Sequence, residues 1–192
     1  MYVSSMPPMS LFGTSEASVG NNFFRYFNNG GALTSLPEGS FDASHITTVG
    51  DYFFAYFNQN GSLTSLPAGS FDTSSISGTV GAYFLVNFNY NGYLISLPEG
   101  SFDTSNITTV GTYYFYQSFY NSQLSRDAIV QIASTRNLDQ TNLNKSNVFT
   151  NTFYGNTATG TVTEADIPQL ALNPSSAKNT FSNTNLTTDS VN

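Results

Sequence analysis

The chain has 192 residues, with 12 acidic and 5 basic side chains giving a net charge of −7; charged residues make up only 9% and aromatics 15%. Its cations, Arg25, Arg126, Arg136, Lys145 and Lys178, are scattered, so there is no basic stripe to neutralise phosphates, and nucleic acids and anionic membrane surfaces are disfavoured as partners. With no cysteine, disulfides, thiolate metal sites and cysteine nucleophiles are excluded together.

No run approaches the roughly 20 apolar residues needed to span a bilayer, so no membrane insertion is expected. Met1-Tyr2-Val3 does not open a signal peptide, having neither a basic region nor an apolar run behind it. The ring volume of Phe and Tyr needs burial, so the polar bias in Asn, Thr, Ser and Gly does not read as disorder. A charge-poor surface of that kind is expected of an exported bacterial protein.

One unit recurs along the chain. Residues 1–20 read as a degenerate N-terminal copy, in which Ser5-Met6-Pro7 precedes Ser35-Leu36-Pro37 by 30 residues. The regular copies occupy 21–122. Val19-Gly20 returns as Val49-Gly50, Val80-Gly81 and Val110-Gly111. Leu33 to Pro37 returns at Leu63 to Pro67 and Leu94 to Pro98, and Gly39 to Asp42 at Gly69 to Asp72 and Gly100 to Asp103. The spacing is 30, then 31 where Gly78 lengthens a loop. Residues 123–192 read as degenerate C-terminal copies, in which Phe153 and Phe181 continue a series of Phe27, Phe57, Phe88 and Phe119. Terminal repeats drift because they cap a stack instead of continuing it.

Within a unit, Leu33 to Leu36 is a short apolar-polar strand that Pro37 stops, since proline cannot donate onward into a ladder. Glu38-Gly39 turns the chain, Phe41 returns to the core, and Asp42 caps the turn at Ser44. Ile46 to Val49 is β-branched and predicts a second strand. Phe53, Phe54 and Phe57 have helical spacing, which predicts a short helix over Asp51–Phe57, ended by Asn58 to Gly61. Such a unit cannot bury its rings alone. Stacked copies would bury Leu33, Leu36, Phe41, Val49, Phe54, Phe57 and their equivalents in continuous columns, at about 4.8 Å per unit. The expected fold is therefore a single α/β repeat solenoid over 1–192, with short strands and a short helix in each ~30-residue repeat.

The run Leu94-Ile-Ser-Leu97-Pro-Glu-Gly-Ser-Phe102-Asp-Thr-Ser-Asn106-Ile-Thr-Thr-Val110 resembles the BspA-type leucine-rich repeats of bacterial surface proteins. The likeness covers about 19–120 well and the remainder weakly. It departs in its longer period, its Pro-Glu-Gly insertion and the lack of visible export and anchoring signals. The resemblance implies a leucine-rich-repeat-like fold and an extracellular or cell-surface role in adhesion or in host and matrix binding.

The residues offer little to catalysis. The single histidine, His45, holds the repeat position of Ser75 and Asn106, as an exposed loop site would, and with no second His or Cys neither a zinc site nor a Ser-His pair can be assembled. Asp42, Asp72 and Asp103 form a column that reads either as a calcium ladder or, preferably, as turn carboxylates bonded to nearby backbone N–H groups. Equivalent carboxylates also lack the asymmetry of a glycosidase acid pair. No enzyme activity, cofactor or metal is expected. Glycosylation triplets at Asn60, Asn106, Asn144 and Asn185 follow from the Asn/Thr-rich composition.

Positions that vary among copies are expected to face solvent. Arg25, Tyr26, Tyr56, Gln59, Tyr90 and Tyr93 form the candidate binding surface, set against the plainer reading of ordinary tyrosines at an element's edge. The function expected is a non-enzymatic surface module for adhesion, with a protein or glycan ligand. The alternative is a subunit that stacks end to end into an extracellular filament, motivated by strand positions near both ends (Val3 and Leu186).

Overall fold

The computed structural model describes residues 17–103, 105–133, 148–163, 166 and 184–189. Strand β1 (Ala17–Val19) pairs in parallel with β2 (Ile46–Val49), and β3 (Gly78–Thr79) with β4 (Ile107–Thr109). Helix α1 (Arg126–Ala133) follows, then β5 (Thr159–Thr163) and β6 (Asn185–Asp189), also a parallel pair. Ile46–Val49 is a strand, as its β-branched residues predict. Leu33–Leu36 is not assigned to a strand, although the Thr64 N–H donates to the Thr34 carbonyl and Ile95 N–H to that of Thr64.

The short helix expected at Asp51–Phe57 is absent. Residues 51–60, like 21–30, 82–91 and 112–121, form a run of turns. Every fourth residue there has a left-handed backbone: Tyr52, Tyr56 and Asn60 have φ of 58°, 59° and 51°, and Tyr83, Asn87 and Asn91 have 60°, 52° and 51°. A left-handed residue reverses the winding, so amides cannot return to the carbonyl four residues back. Alternate amides point to the next copy instead. Phe54, Tyr56 and Asn58 N–H donate to the carbonyls of Phe84, Val86 and Phe88 at 3.0, 2.8 and 2.6 Å. The carbonyls of Phe53, Ala55 and Phe57 accept in turn from Phe24, Tyr26 and Asn28 N–H at 2.9, 3.0 and 2.6 Å. Peptide groups such as 53–54 thus lie along the stacking axis, all pointing the same way. The intervening amides close local turns, as when the Gly61 N–H donates to the Asn58 carbonyl at 3.0 Å.

This stacking sets side chains of equivalent positions on one another. Phe27, Phe57 and Phe88 stack at 5.1 and 5.0 Å between ring centroids, and Phe41, Phe71 and Phe102 at 5.6 and 5.4 Å. The two columns meet edge to face: Phe57 lies 4.9 Å from Phe41 at 89° and 5.0 Å from Phe71 at 90°. Both geometries suit the aromatic quadrupole, and all of these rings except Phe27, which packs part-buried against them, are buried.

A polar column runs beside the rings. Asn28 Nδ2 donates to Asn58 Oδ1 at 2.8 Å, and Asn58 Nδ2 to Asn89 Oδ1 at 2.7 Å, all three amides being buried. The ladder explains Gly61: a Cβ there would overlap the Asn58 side-chain oxygen and the Asn28 carbonyl. The fourth copy breaks the column. The Asn89 N–H bonds to the Ser118 carbonyl and Tyr90 stacks on Tyr120, so Phe88-Asn89 is in register with Ser118-Phe119. Phe119 therefore stands where the amide should be, one place from the position expected of it, and Asn89 Nδ2 is buried without a partner. The glycine equivalent to Gly61 becomes Ser122 in the same copy, whose Oγ accepts from Asn156 Nδ2 at 2.8 Å. Phe153 does continue the ring series, stacked on Phe119 at 5.8 Å, while Phe181 lies outside the described residues.

Helix α1 replaces the Leu-Pro-x-Gly-Ser-Phe stretch of the regular copies. Ser125 caps it, its Oγ accepting from Ala128 N–H at 3.3 Å, and Ala128, Ile129 and Ile132 bury its inner face. Arg126 ties it to the later strands through the Thr161 carbonyl and Asp166, both at 2.8 Å.

The amide ladder has a direct consequence for stability. Asn58→Ala strands the buried Asn89 Oδ1 and leaves Asn28 Nδ2 only its 3.4 Å bond to the Leu33 carbonyl, and is expected to cost about 2 kcal/mol. Gln59→Ala, which removes only an exposed bond from Asn29, is expected to cost less than about 0.5 kcal/mol. Urea denaturation of the two variants checks this contrast.

Candidate functional site: a face of tyrosine ladders

The four-residue turn period alternates inward runs of side chains with outward ones. In the second copy Phe53, Phe54, Phe57 and Asn58 point into the core, while Tyr52, Tyr56 and Gln59 emerge. Stacking then turns each outward position into a column. One column carries Asn22, Tyr52, Tyr83 and Tyr113; the next Tyr26, Tyr56, Asn87 and Gln117; a third Asn29, Gln59, Tyr90, Tyr120 and Tyr154.

Where tyrosines meet, their rings lie nearly parallel. Tyr52 and Tyr83 are 4.5 Å apart at 2°, and Tyr83 and Tyr113 5.0 Å at 9°. Tyr90, Tyr120 and Tyr154 are spaced by 4.8 Å at 7° and 8°, and Tyr26 and Tyr56 by 4.8 Å at 20°. Ring faces within a ladder are therefore covered by their neighbours. The surface presents ring edges and a row of hydroxyls.

Among the described residues Arg25 is the one cation on this face. Its guanidinium carbon sits 4.7, 4.5 and 5.4 Å from the ring centroids of Tyr26, Tyr52 and Tyr56. Nη1 donates to Asn22 Oδ1 at 2.9 Å and Nη2 to the Tyr26 hydroxyl at 3.1 Å, while Nε is buried without a partner.

The structure therefore brings Arg25, Tyr26 and Tyr56 together. Gln59 and Tyr90 share the third column, where Asn29 Nδ2 donates to Gln59 Oε1 at 2.8 Å. Tyr93 lies elsewhere, on the Leu94 segment, 51% exposed beside an equally exposed Ile95. Sequence reasoning missed Tyr52, Tyr83, Tyr113 and Tyr120. Their signal was the recurrence of Tyr at equivalent positions four residues before Tyr56 and in the Tyr90 column, which a helical reading scatters around an axis.

The other candidates have structural employment. Asp42, Asp72 and Asp103 accept from the N–H groups of Ser44, Ser74 and Ser105 at 2.9, 3.0 and 2.7 Å. Among the described residues no group of three or more His, Cys, Asp or Glu could hold a metal ion. His45 is partly exposed, and of the glycosylation triplets Asn60, Asn106 and Asn185 are exposed, while Asn144 lies outside the described residues. No helix among the described residues is long and apolar enough to cross a membrane. Compared with protein-family models, curated proteins and solved structures, the chain matches none.

Packing holds three of the phenols, Tyr52, Tyr120 and Tyr114, in their neutral form. Tyr52 titrates above the ordinary 10.0, chiefly through desolvation and then through Tyr83 and Tyr56, with Arg25 opposing. Tyr120 is raised in the same way, with Tyr154 and Tyr90 as its neighbours. Burial raises Tyr114 much further. A phenol with a raised folded-state pKa adds stability that is complete below the unfolded value and is lost as pH climbs through the folded one. Stability is therefore expected to be insensitive to tyrosine below pH 10.0 and to fall above it. Thermal unfolding followed alongside tyrosinate absorbance checks this: the last phenolate should appear only with unfolding.

Proposed function

We propose that the chain is a leucine-rich-repeat-like solenoid of the BspA kind that acts at a bacterial cell surface as a non-enzymatic adhesion module, binding a protein or glycan. One observation carries this reading: the core columns repeat while the outward columns vary. Phe57 and Phe88 hold one inward column, whereas the outward sequences run Tyr26, Tyr56, Asn87, Gln117 and Asn29, Gln59, Tyr90, Tyr120; the column of Arg25, Ala55 and Val86, which also varies, turns inward at Ala55 and Val86, both buried. A fixed scaffold with a varied polar-aromatic face suits ligand recognition by many modest contacts. The row of hydroxyls favours hydrogen bonding to the ligand's edge over stacking on open ring faces.

The filament reading keeps one specific observation in its favour. The axial peptide groups of the aromatic arm all point the same way, so an added copy could extend the columns with its own. Of the two strand positions that motivated it, Val3 lies outside the described residues and Leu186 falls within β6, already paired with β5.

Binding to arrayed glycans and extracellular-matrix proteins tests the first reading. Arg25→Ala combined with Tyr56→Ala is expected to weaken retention by about tenfold, on the scale of two modest surface contacts, with the fold intact by circular dichroism. Unchanged binding, or none by the native chain, contradicts it. Sizing across concentrations separates the filament, which requires growth with concentration where the module stays one size.

A further inference from the structure

We propose that the tyrosine ladders are sites of dityrosine formation, by which a one-electron oxidant staples neighbouring copies covalently. Tyr52, Tyr83 and Tyr113 form one such site and Tyr90 with Tyr120 a second, with Tyr26–Tyr56 and Tyr120–Tyr154 as further stacked pairs. Four observations point there. The rings are parallel and in contact, at 4.5, 5.0 and 4.8 Å. They are part-exposed, so an oxidant can reach them, unlike fully buried Tyr114. The chain has no Cys and no Trp, and its three Met are all within residues 1–9, so these phenols are the main redox-active groups along the repeats. Finally, partners in these two sites sit 30 or 31 residues apart in sequence, so a link joins separate copies and closes a loop that unfolding would otherwise open.

The chemistry balances with a haem peroxidase and hydrogen peroxide as oxidant. Each of two phenols gives up one electron and its hydroxyl proton. The two phenoxyl radicals join through ring carbons ortho to oxygen, and the hydrogens on those carbons shift to the oxygens as the rings regain aromaticity. Two electrons and two protons reduce one peroxide to two waters. Holding both rings in contact supplies the effective concentration that a bimolecular coupling lacks. Since this chain cannot form disulfides, the ladders are where its repeats can be locked by oxidation.

Treating the native chain with horseradish peroxidase and hydrogen peroxide tests the proposal, read by dityrosine fluorescence and by mass spectrometry of digested monomer. The expected result is intramolecular loss of two hydrogens per link, with cross-linked peptides confined to stacked pairs, Tyr52–Tyr83, Tyr83–Tyr113 and Tyr90–Tyr120 among them. Tyr93, exposed and in no ring pair among the described residues, should stay unlinked within the molecule. Tyr83→Phe keeps the stacked ring but removes the phenol, so both links in its ladder should vanish while Tyr90–Tyr120 persists. The linked protein should melt at a higher temperature than the untreated one. Links confined to pairs between molecules, or the same pattern in urea-unfolded protein, would overturn the proposal.

Discussion

The structure depends on one constraint: in the aromatic arm, alternate peptide groups hydrogen-bond along the stacking axis. The left-handed residue at every fourth position makes that possible, since it turns amides away from the local helix and toward the next copy. For Tyr52, Tyr56 and Tyr83 this backbone is unfavourable by roughly 1 kcal/mol each, a penalty of the order that L side chains meet in the left-handed region. Axial hydrogen bonds, buried rings and stacked tyrosines offset it. Remove the stacking, and a single unit has no reason to hold the conformation.

Everything else is fixed by that spacing. Inward positions become the Phe columns with their edge-to-face contacts and the amide ladder of Asn28, Asn58 and Asn89. Outward positions become the tyrosine ladders. Core and candidate site are thus two sides of one backbone device, and a change that shifts register on one side shifts it on the other. The fourth copy shows this: exchanging Phe-Asn for Ser-Phe ends the amide ladder, and the glycine that made room for the amide becomes Ser122.

Much of this was legible in the sequence, for identifiable reasons. The period, the strand at Ile46–Val49, the turn role of the Asp42 column and the core membership of Phe41 and Phe57 follow from recurrence and side-chain chemistry. The helix at Asp51–Phe57 did not follow, because a four-residue turn period places Phe53, Phe54 and Phe57 much as a 3.6-residue helix would. What distinguishes the two is the Gly or Asn at Gly30, Asn60, Asn91 and Asn121, residues that tolerate left-handed backbone. Gln59 and Tyr90 stand out as surface residues by their variation, with Tyr26 and Tyr56 joined to them as neighbouring tyrosines, but the ladders require knowing which outward positions superimpose.

The axial peptide columns can be measured directly. Scalar coupling across hydrogen bonds, recorded by NMR on isotope-labelled protein, identifies the carbonyl that each amide contacts. The account requires coupling of the Phe54 amide nitrogen to the Phe84 carbonyl carbon, and of Tyr56 to Val86. Coupling of Phe54 to the Gly50 carbonyl, as in a helix, would contradict it.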